Sequence, residues 1–131
     1  MNLINKILNQ KKHKGIRFSY EKVDLNFLII KFEGKCFSGS KGNEQGEFIY
    51  KSLNDLIREL NLKDFNGIIV DFDKLEYTFG NYIFNSINLI HRLDLPKAIV
   101  FSEKSLNLKD NRPNLFFEGM NNAMEFLKNE K

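Results

Sequence analysis

The 131-residue chain contains no tryptophan, two prolines and a single cysteine. One cysteine excludes an internal disulfide, which is typical of proteins from a reducing compartment. No apolar run is long enough to cross a bilayer, and the N-terminus lacks the apolar segment of a signal peptide. We therefore expect a soluble, cytoplasmic protein.

The residue spacings that are typical of metal and catalytic sites are also missing. The two histidines, His13 and His91, are far apart in the sequence, and no HxxxH, HExxH or CxxC pattern occurs. Cys36 has no histidine close to it in the sequence that would activate its thiol. We predict no catalytic residue, no metal site and no cofactor.

Positive charge is concentrated at the N-terminus. Of the 20 basic residues, five lie in residues 1–17, which contain no acidic residue. The rest of the chain therefore contains 15 basic residues and all 17 acidic residues. This is not the distributed basic face of a nucleic-acid-binding domain, and we expect no nucleic-acid partner. Residues 1–14 are predicted to be a basic helix or tail, and residues 15–131 a single α/β domain.

The apolar residues of that N-terminal segment share one side of a short predicted helix over residues 2–11. A helix of this length is marginally stable alone, so it must dock on something. We favour packing on the protein's own sheet, because the apolar face is small. The alternative is an anchor that binds a membrane surface or a partner.

Residues 66–102 contain the pattern on which the fold prediction depends. Residues 68–70 and 98–101 are continuous apolar runs, which are typical of strands covered on both faces in a parallel sheet. Between them, residues 80–93 have isoleucines at helical spacing, flanked by Phe84 and Leu93. The pattern predicts a βαβ unit, because parallel neighbours need a crossover connection.

The flanking segments extend this unit. Residues 15–22 and 25–33 are predicted to be two antiparallel strands beside it, residues 46–62 an amphipathic helix, and residues 115–117 and 121–128 a last strand and closing helix. The predicted fold class is therefore α/β: a single-domain mixed β-sheet with a parallel βαβ core flanked by helices.

The glycine-rich segment 34–46 separates a predicted strand from a predicted helix, and we expect a loop there. Gly34 and Gly39 have the spacing of a P-loop, but Ser40 and Lys41 follow in the wrong order. A flexible turn accounts for the same glycines.

Ligands of open α/β sheets bind beyond the carboxyl ends of the strands. In this chain the polar and aromatic residues after the first parallel strand therefore form the candidate site, and we interpret it as a protein-binding surface because tyrosines are frequent anchors of interfaces. The alternative interpretation is aromatic packing over the end of the sheet. The candidate residues are Asp71, Asp73, Glu76, Tyr77, Phe79, Asn81 and Tyr82.

Residues 71–77, DFDKLEY, followed by a turn and a helix, resemble the STAS domain, the fold of bacterial anti-anti-sigma factors. The segment from Phe116 to Leu127 resembles the last strand and closing helix of the same family. The resemblance implies a protein-binding regulator. The phosphorylatable serines of that family correspond here to Gly80 and Asn81, so it also implies that the phosphorylation switch is lost.

A second segment, Phe37-Ser38-Gly39, resembles an oxyanion loop of the crotonase and ClpP-type fold. This resemblance implies an enzyme, although no matching acid or base residues are evident.

Our first functional interpretation is a non-enzymatic protein-binding module whose partner is another protein. It would be either a STAS-like regulatory adaptor or an immunity protein that neutralises a bacterial toxin. The alternative is a small crotonase-like or nucleotide- or acyl-ligand-binding enzyme domain that uses residues 36–46.

Overall fold

The computed structural model describes residues 10–13, 15–37, 40–76, 82–102 and 115–129. These residues form three α-helices and seven strands, and all the strands belong to one sheet. The strands are β1 (Gln10–His13), β2 (Ile16–Val23), β3 (Phe27–Lys35), β4 (Gly67–Asp71), β5 (Leu75–Glu76), β6 (Lys97–Phe101) and β7 (Phe116–Glu118). The helices are α1 (Ser40–Glu59), α2 (Tyr82–His91) and α3 (Met120–Lys128).

The strand order is β1-β2-β3-β4-β6-β7, and the short β5 pairs with the end of β3. Strands β1, β2 and β3 are antiparallel neighbours, whereas β3, β4, β6 and β7 are parallel. The predicted hairpin and the predicted parallel βαβ core are both confirmed. The fold class is α/β with a mixed sheet.

Helices α1 and α2 cover one face of the sheet. The stripe Ile83, Ile87 and Ile90 of α2 is fully buried, as are Ile68 and Val70 of β4 in the same apolar cluster. Fully burying a side chain of this size contributes roughly 1.5–3 kcal/mol. The spacing of the isoleucines in α2 thus determines which side of this helix packs against the sheet.

Helix α3 covers part of the opposite face. Ala123 and Leu127 are buried against Phe27 and Ile69, and Met120 and Met124 pack at the margin of this second cluster. Since Ile69 faces α3 while Ile68 and Val70 face the other helices, β4 is buried on both sides. The continuous apolar run in the sequence reflects this double burial.

The loop predicted over residues 34–46 is wrong at both of its ends, whereas Cys36 and Phe37 lie outside any helix or strand. Strand β3 continues to Lys35, and α1 begins at Ser40, six residues earlier than predicted. The fully buried side chain of Gln45 explains the early start: its Oε1 accepts a hydrogen bond from the Phe37 N–H at 2.7 Å, and its Nε2 donates to the Lys35 carbonyl at 2.9 Å. One side chain thus holds the strand end against the helix.

The predicted N-terminal helix lies largely outside the described residues. Gln10–His13 forms strand β1 and pairs with β2, so these residues belong to the sheet and not to a helix or tail. None of the helices in the described part of the chain is long and apolar enough to span a membrane.

Candidate protein-binding edge

Strands β3, β4 and β6 run in the same direction and end at one edge of the sheet, which we call the carboxyl edge. Its described residues are those that follow these strands and those in the first turns of α1 and α2. These helices begin at this edge because each leads back to the start of the next parallel strand.

The turn between β4 and β5 is tied to both neighbouring strands. The Asp71 Oδ1 accepts a hydrogen bond from the Asp73 N–H at 2.9 Å. The Asp73 carbonyl accepts one from the Ser102 hydroxyl, after β6, at 2.7 Å. On the other side, the Gly34 N–H of β3 donates to the Lys74 carbonyl at 3.1 Å. The turn therefore has a defined position.

Asp71 is only 7% exposed although it carries a carboxylate. Burial raises its pKa above the ordinary value; the Asp73 N–H and the nearby Lys31 ammonium lower it, and the Asp73 and Glu33 carboxylates raise it further. Burial is the largest of these effects. Asp71 thus lies beneath the turn, where its carboxylate is bonded to the Asp73 N–H.

Two large apolar side chains are exposed at the carboxyl edge. Phe37, after β3, is 41% exposed, and Phe84, in the first turn of α2, is 42% exposed. The ammonium of Lys41 lies 4.9 Å from the centre of the Phe37 ring, a cation–π contact that favours this ring position. Only one other large apolar side chain of the described residues is exposed, Leu25, in the β2–β3 turn.

The predicted site residues are distributed as follows. Asp73 and Glu76 are half-buried at the carboxyl edge, while Asp71 is buried beneath it. Tyr77, Phe79 and Asn81 lie outside the described residues. Tyr82 is the first residue of α2, and its side chain is also outside the described part. The predicted binding role of these residues stays a prediction.

Sequence reasoning missed Phe37 and Phe84 as surface residues. Phe84 flanks the isoleucines of α2 in the sequence, but it lies one position after Ile83, about 100° further around the helix. That offset was readable in the sequence. The exposure of Phe37 was not, because it depends on how Gln45 holds the end of β3.

The cysteine of the proposed enzyme loop is inaccessible. Cys36 is 1% exposed, and burial raises the pKa of its thiol to about 12. A thiol of this kind is inert as a nucleophile at neutral pH. The described residues also contain no group of three His, Cys, Asp or Glu side chains that could hold a metal ion.

By sequence, the chain matches no protein-family model and no curated protein. By structure, it is similar to an anti-sigma factor antagonist from Mycobacterium paratuberculosis, with a TM-score of 0.61, 9% identity, and coverage of 91% of this chain and 99% of the other. The chain has a STAS-like fold. The anti-sigma factor antagonist SpoIIAA in its unphosphorylated form aligns with a TM-score of 0.45, 12% identity, and coverage of 86% of this chain and 98% of the other.

The structural likeness confirms the STAS resemblance inferred from residues 71–77 and from the closing strand and helix. The mixed sheet flanked by helices is the shared feature, and at 9% identity the likeness is one of fold. The crotonase-type resemblance was based on Phe37-Ser38-Gly39, of which Ser38 and Gly39 lie outside the described residues, so it stays a prediction.

Proposed function

We propose that this protein is a non-enzymatic regulatory adaptor that binds another protein through its carboxyl edge. The observation that carries the proposal is the exposure of Phe37 and Phe84 at the edge where the polar turn Asp73–Glu76 also lies. Aromatic anchors surrounded by polar groups are the usual composition of a protein interface. The mechanism is steric and electrostatic complementarity.

The STAS-like fold supports a regulatory partner. The structural neighbour is an antagonist of an anti-sigma factor, and we infer a partner of the same class, a regulator that this protein sequesters. The positions that correspond to the family's serines are Gly80 and Asn81, so binding would not be switched by serine phosphorylation at those positions. No observation on the described residues specifically favours a toxin as the partner.

The described residues do not support the enzyme alternative. It required an open loop over residues 36–46, but Cys36 is buried and α1 begins at Ser40. Two glycines of this segment, Gly42 and Gly46, are buried within α1. Their placement in a helix does not support a phosphate-binding loop.

The test is affinity capture from the native cell extract with three forms of the full-length protein. These are the wild type, the double variant Phe37→Gln plus Phe84→Gln, and the matched control Leu25→Gln. All three side chains are exposed, and glutamine suits a helix at Phe84, so loss of the fold is not expected. Circular dichroism and thermal unfolding check this for each form.

We expect one protein to be enriched by the wild type and by Leu25→Gln but not by the double variant. If the double variant retains the partner and the fold, the carboxyl edge is not the binding surface. If the enriched protein is not a regulator of transcription or signalling, the adaptor role is rejected even when the surface is right.

A further inference from the structure

A buried carboxylate at the end of a central strand has no role in the adaptor function described so far. Asp71 follows Val70, and it lies in register with Lys31 of β3 and Val100 of β6. Because Ile69 faces α3, Asp71, two residues later, points to the same face of the sheet. An ionised group in this position is costly unless it is bonded or paired.

Asp71 is connected to the carboxyl edge through hydrogen bonds of the β4–β5 turn. Its Oδ1 holds the Asp73 N–H at 2.9 Å, and within the same turn the Leu75 N–H donates to the Phe72 carbonyl at 3.0 Å. Carbonyl groups of this turn accept hydrogen bonds from the Ser102 hydroxyl and from the Gly34 N–H. The next residues, β5 and the segment that leads into α2, continue from this turn.

We propose that Asp71 is a positioning residue whose ionised carboxylate fixes the β4–β5 turn, and that gain of a proton by Asp71 loosens this turn and so changes the presentation of the carboxyl edge. A hydrogen bond to an ionised acceptor is roughly twice as strong as one to a neutral acceptor. The effect on partner binding rests on the proposed adaptor function, whereas the loosening of the turn on protonation of Asp71 does not.

The charged groups around Asp71 influence the pH at which its carboxylate gains a proton. They are the ammonium of Lys31 and the carboxylate of Glu33, both from β3, and the carboxylate of Asp73 from the turn itself. Glu33 also lies 3.8 Å from the guanidinium of Arg17 on β2. On the β6 side the neighbour in register is Val100, and the buried residues of α3 on this face are Ala123 and Leu127.

Ionisation of Asp71 has opposite effects on the stability of the whole fold and on the strength of its hydrogen bond to the Asp73 N–H. Burial raises the pKa of folded Asp71 above its value in the unfolded chain. Its contribution to the stability of the whole fold is therefore fully present below the unfolded pKa and is lost as the pH rises through the folded pKa. The Asp73 N–H bond acts the other way, since it is strongest when Asp71 is ionised.

The test is a pH titration of the isolated full-length protein by NMR. The carboxyl carbon of Asp71 and the backbone amides of Asp73 and Gly34 are followed from neutral pH into the acid range. We expect the amides to shift, and their hydrogen exchange to accelerate, with the same midpoint as the Asp71 carboxyl carbon. That midpoint should lie above the usual range of aspartate.

Three variants make the assignment specific. Asp71→Asn can still accept the Asp73 N–H through its amide oxygen, but it is a neutral acceptor and cannot titrate, so its turn amides should not move with pH and should stay near the positions that the wild type reaches in acid. Lys31→Met removes a charge that lowers the pKa of Asp71, so the midpoint should rise. Asp73→Asn removes a charge that raises the pKa but keeps the backbone N–H, so the midpoint should fall.

Persistence of the amide transition in Asp71→Asn would overturn the proposal, as would wild-type amides that do not follow the Asp71 carboxyl carbon. If Asp71→Asn does not fold, the wild-type carbon and amide titrations, with the two shifted midpoints, decide the matter alone. No partner is needed, so this result is independent of whether Phe37 and Phe84 bind one.

Discussion

The two edges of the sheet are built differently. At the amino edge, where β3 and β4 begin, the β2–β3 turn is closed by Asn66: its N–H donates to the Asn26 carbonyl at 2.9 Å, and its Nδ2 donates to the Leu25 carbonyl at 2.7 Å. These bonds involve neutral groups near the surface. At the carboxyl edge, the corresponding turn depends on Asp71, a carboxylate that is 7% exposed.

The carboxyl edge thus contains features that do not favour stability. A buried carboxylate opposes folding at neutral pH because of its desolvation, and exposed Phe37 and Phe84 gain little from folding. Departures from local stability rules concentrate at functional sites in proteins. The amino edge also exposes Leu25, at φ 67°, but there it forms the tip of a tight turn.

The largest stability effect is expected at Gly34, which lies beside the β4–β5 turn. Its φ is +130°, and a Cβ at this position would overlap the backbone oxygen of Gly15. Backbone strain and overpacking together should make Gly34→Ala destabilising by about 4 kcal/mol. Chemical denaturation measures this loss.

The control is Gly119→Ala, which has φ +86° but nothing within 4 Å of the added Cβ. It should cost only about 1–2 kcal/mol, the backbone strain alone. If the two alanine variants were equally destabilised, the close approach of Gly15 to Gly34 would not exist in solution.

The next effect is expected at Gln45, which joins the end of β3 to α1. Gln45→Ala leaves the Phe37 N–H and the Lys35 carbonyl without this partner, and we expect a loss of about 2 kcal/mol, measured by urea unfolding. Asn43→Ala, an exposed position of the same helix, should change stability by less than about 0.5 kcal/mol. A similar loss in both variants would mean that Gln45 does not form this link.

The smallest effect is expected at the amino edge. Asn66→Ala removes the side-chain bond to the Leu25 carbonyl but leaves the backbone bond to Asn26, and because the site is exposed the loss should be about 0.5–1 kcal/mol. Thermal unfolding measures it. A loss as large as that of Gln45→Ala would show that the two edges are equally dependent on single side chains, contrary to the comparison drawn above.

The parallel core was predictable because its strands are buried on both faces. The run Ile68–Val70 has no polar residue, and the spacing of Ile83, Ile87 and Ile90 specifies one helix face. Both patterns involve residues that are close together in the chain, so they can be recognised from the sequence alone. The hairpin β2–β3 was predictable for the same reason, from alternation in β2.

The parts that were missed depend on contacts between distant residues. The start of α1 contains two glycines, Gly42 and Gly46, which are poor helix formers, and it is supported by the bonds of Gln45 to the end of β3. Strand β1, with the sequence QKKH, has no strand pattern and forms by pairing with β2. Strand β5 has only two residues and is defined by its register with Gly34 and Lys35.

The carboxyl edge was predictable from the strand ends, whereas the exposure of Phe37 and Phe84 there was not predicted. Asp73 and Glu76 lie at the carboxyl edge, as predicted from the strand ends, but Phe37 comes from a segment assigned to a loop, and Phe84 from a helix face assigned to the core. The offset of Phe84 from the isoleucine stripe can be read from the sequence, whereas the exposure of Phe37 depends on the contact of Gln45 with the end of β3.

The central claim is that the carboxyl edge, and not the amino edge, binds the partner protein. It is tested most directly by calorimetric titration of the purified partner with the wild type, with Phe37→Gln plus Phe84→Gln, and with Leu25→Gln. Removing anchor residues from an interface costs roughly 2 kcal/mol or more, about 30-fold in affinity. We predict this loss for the double variant and an unchanged dissociation constant for Leu25→Gln; the reverse result would contradict the claim.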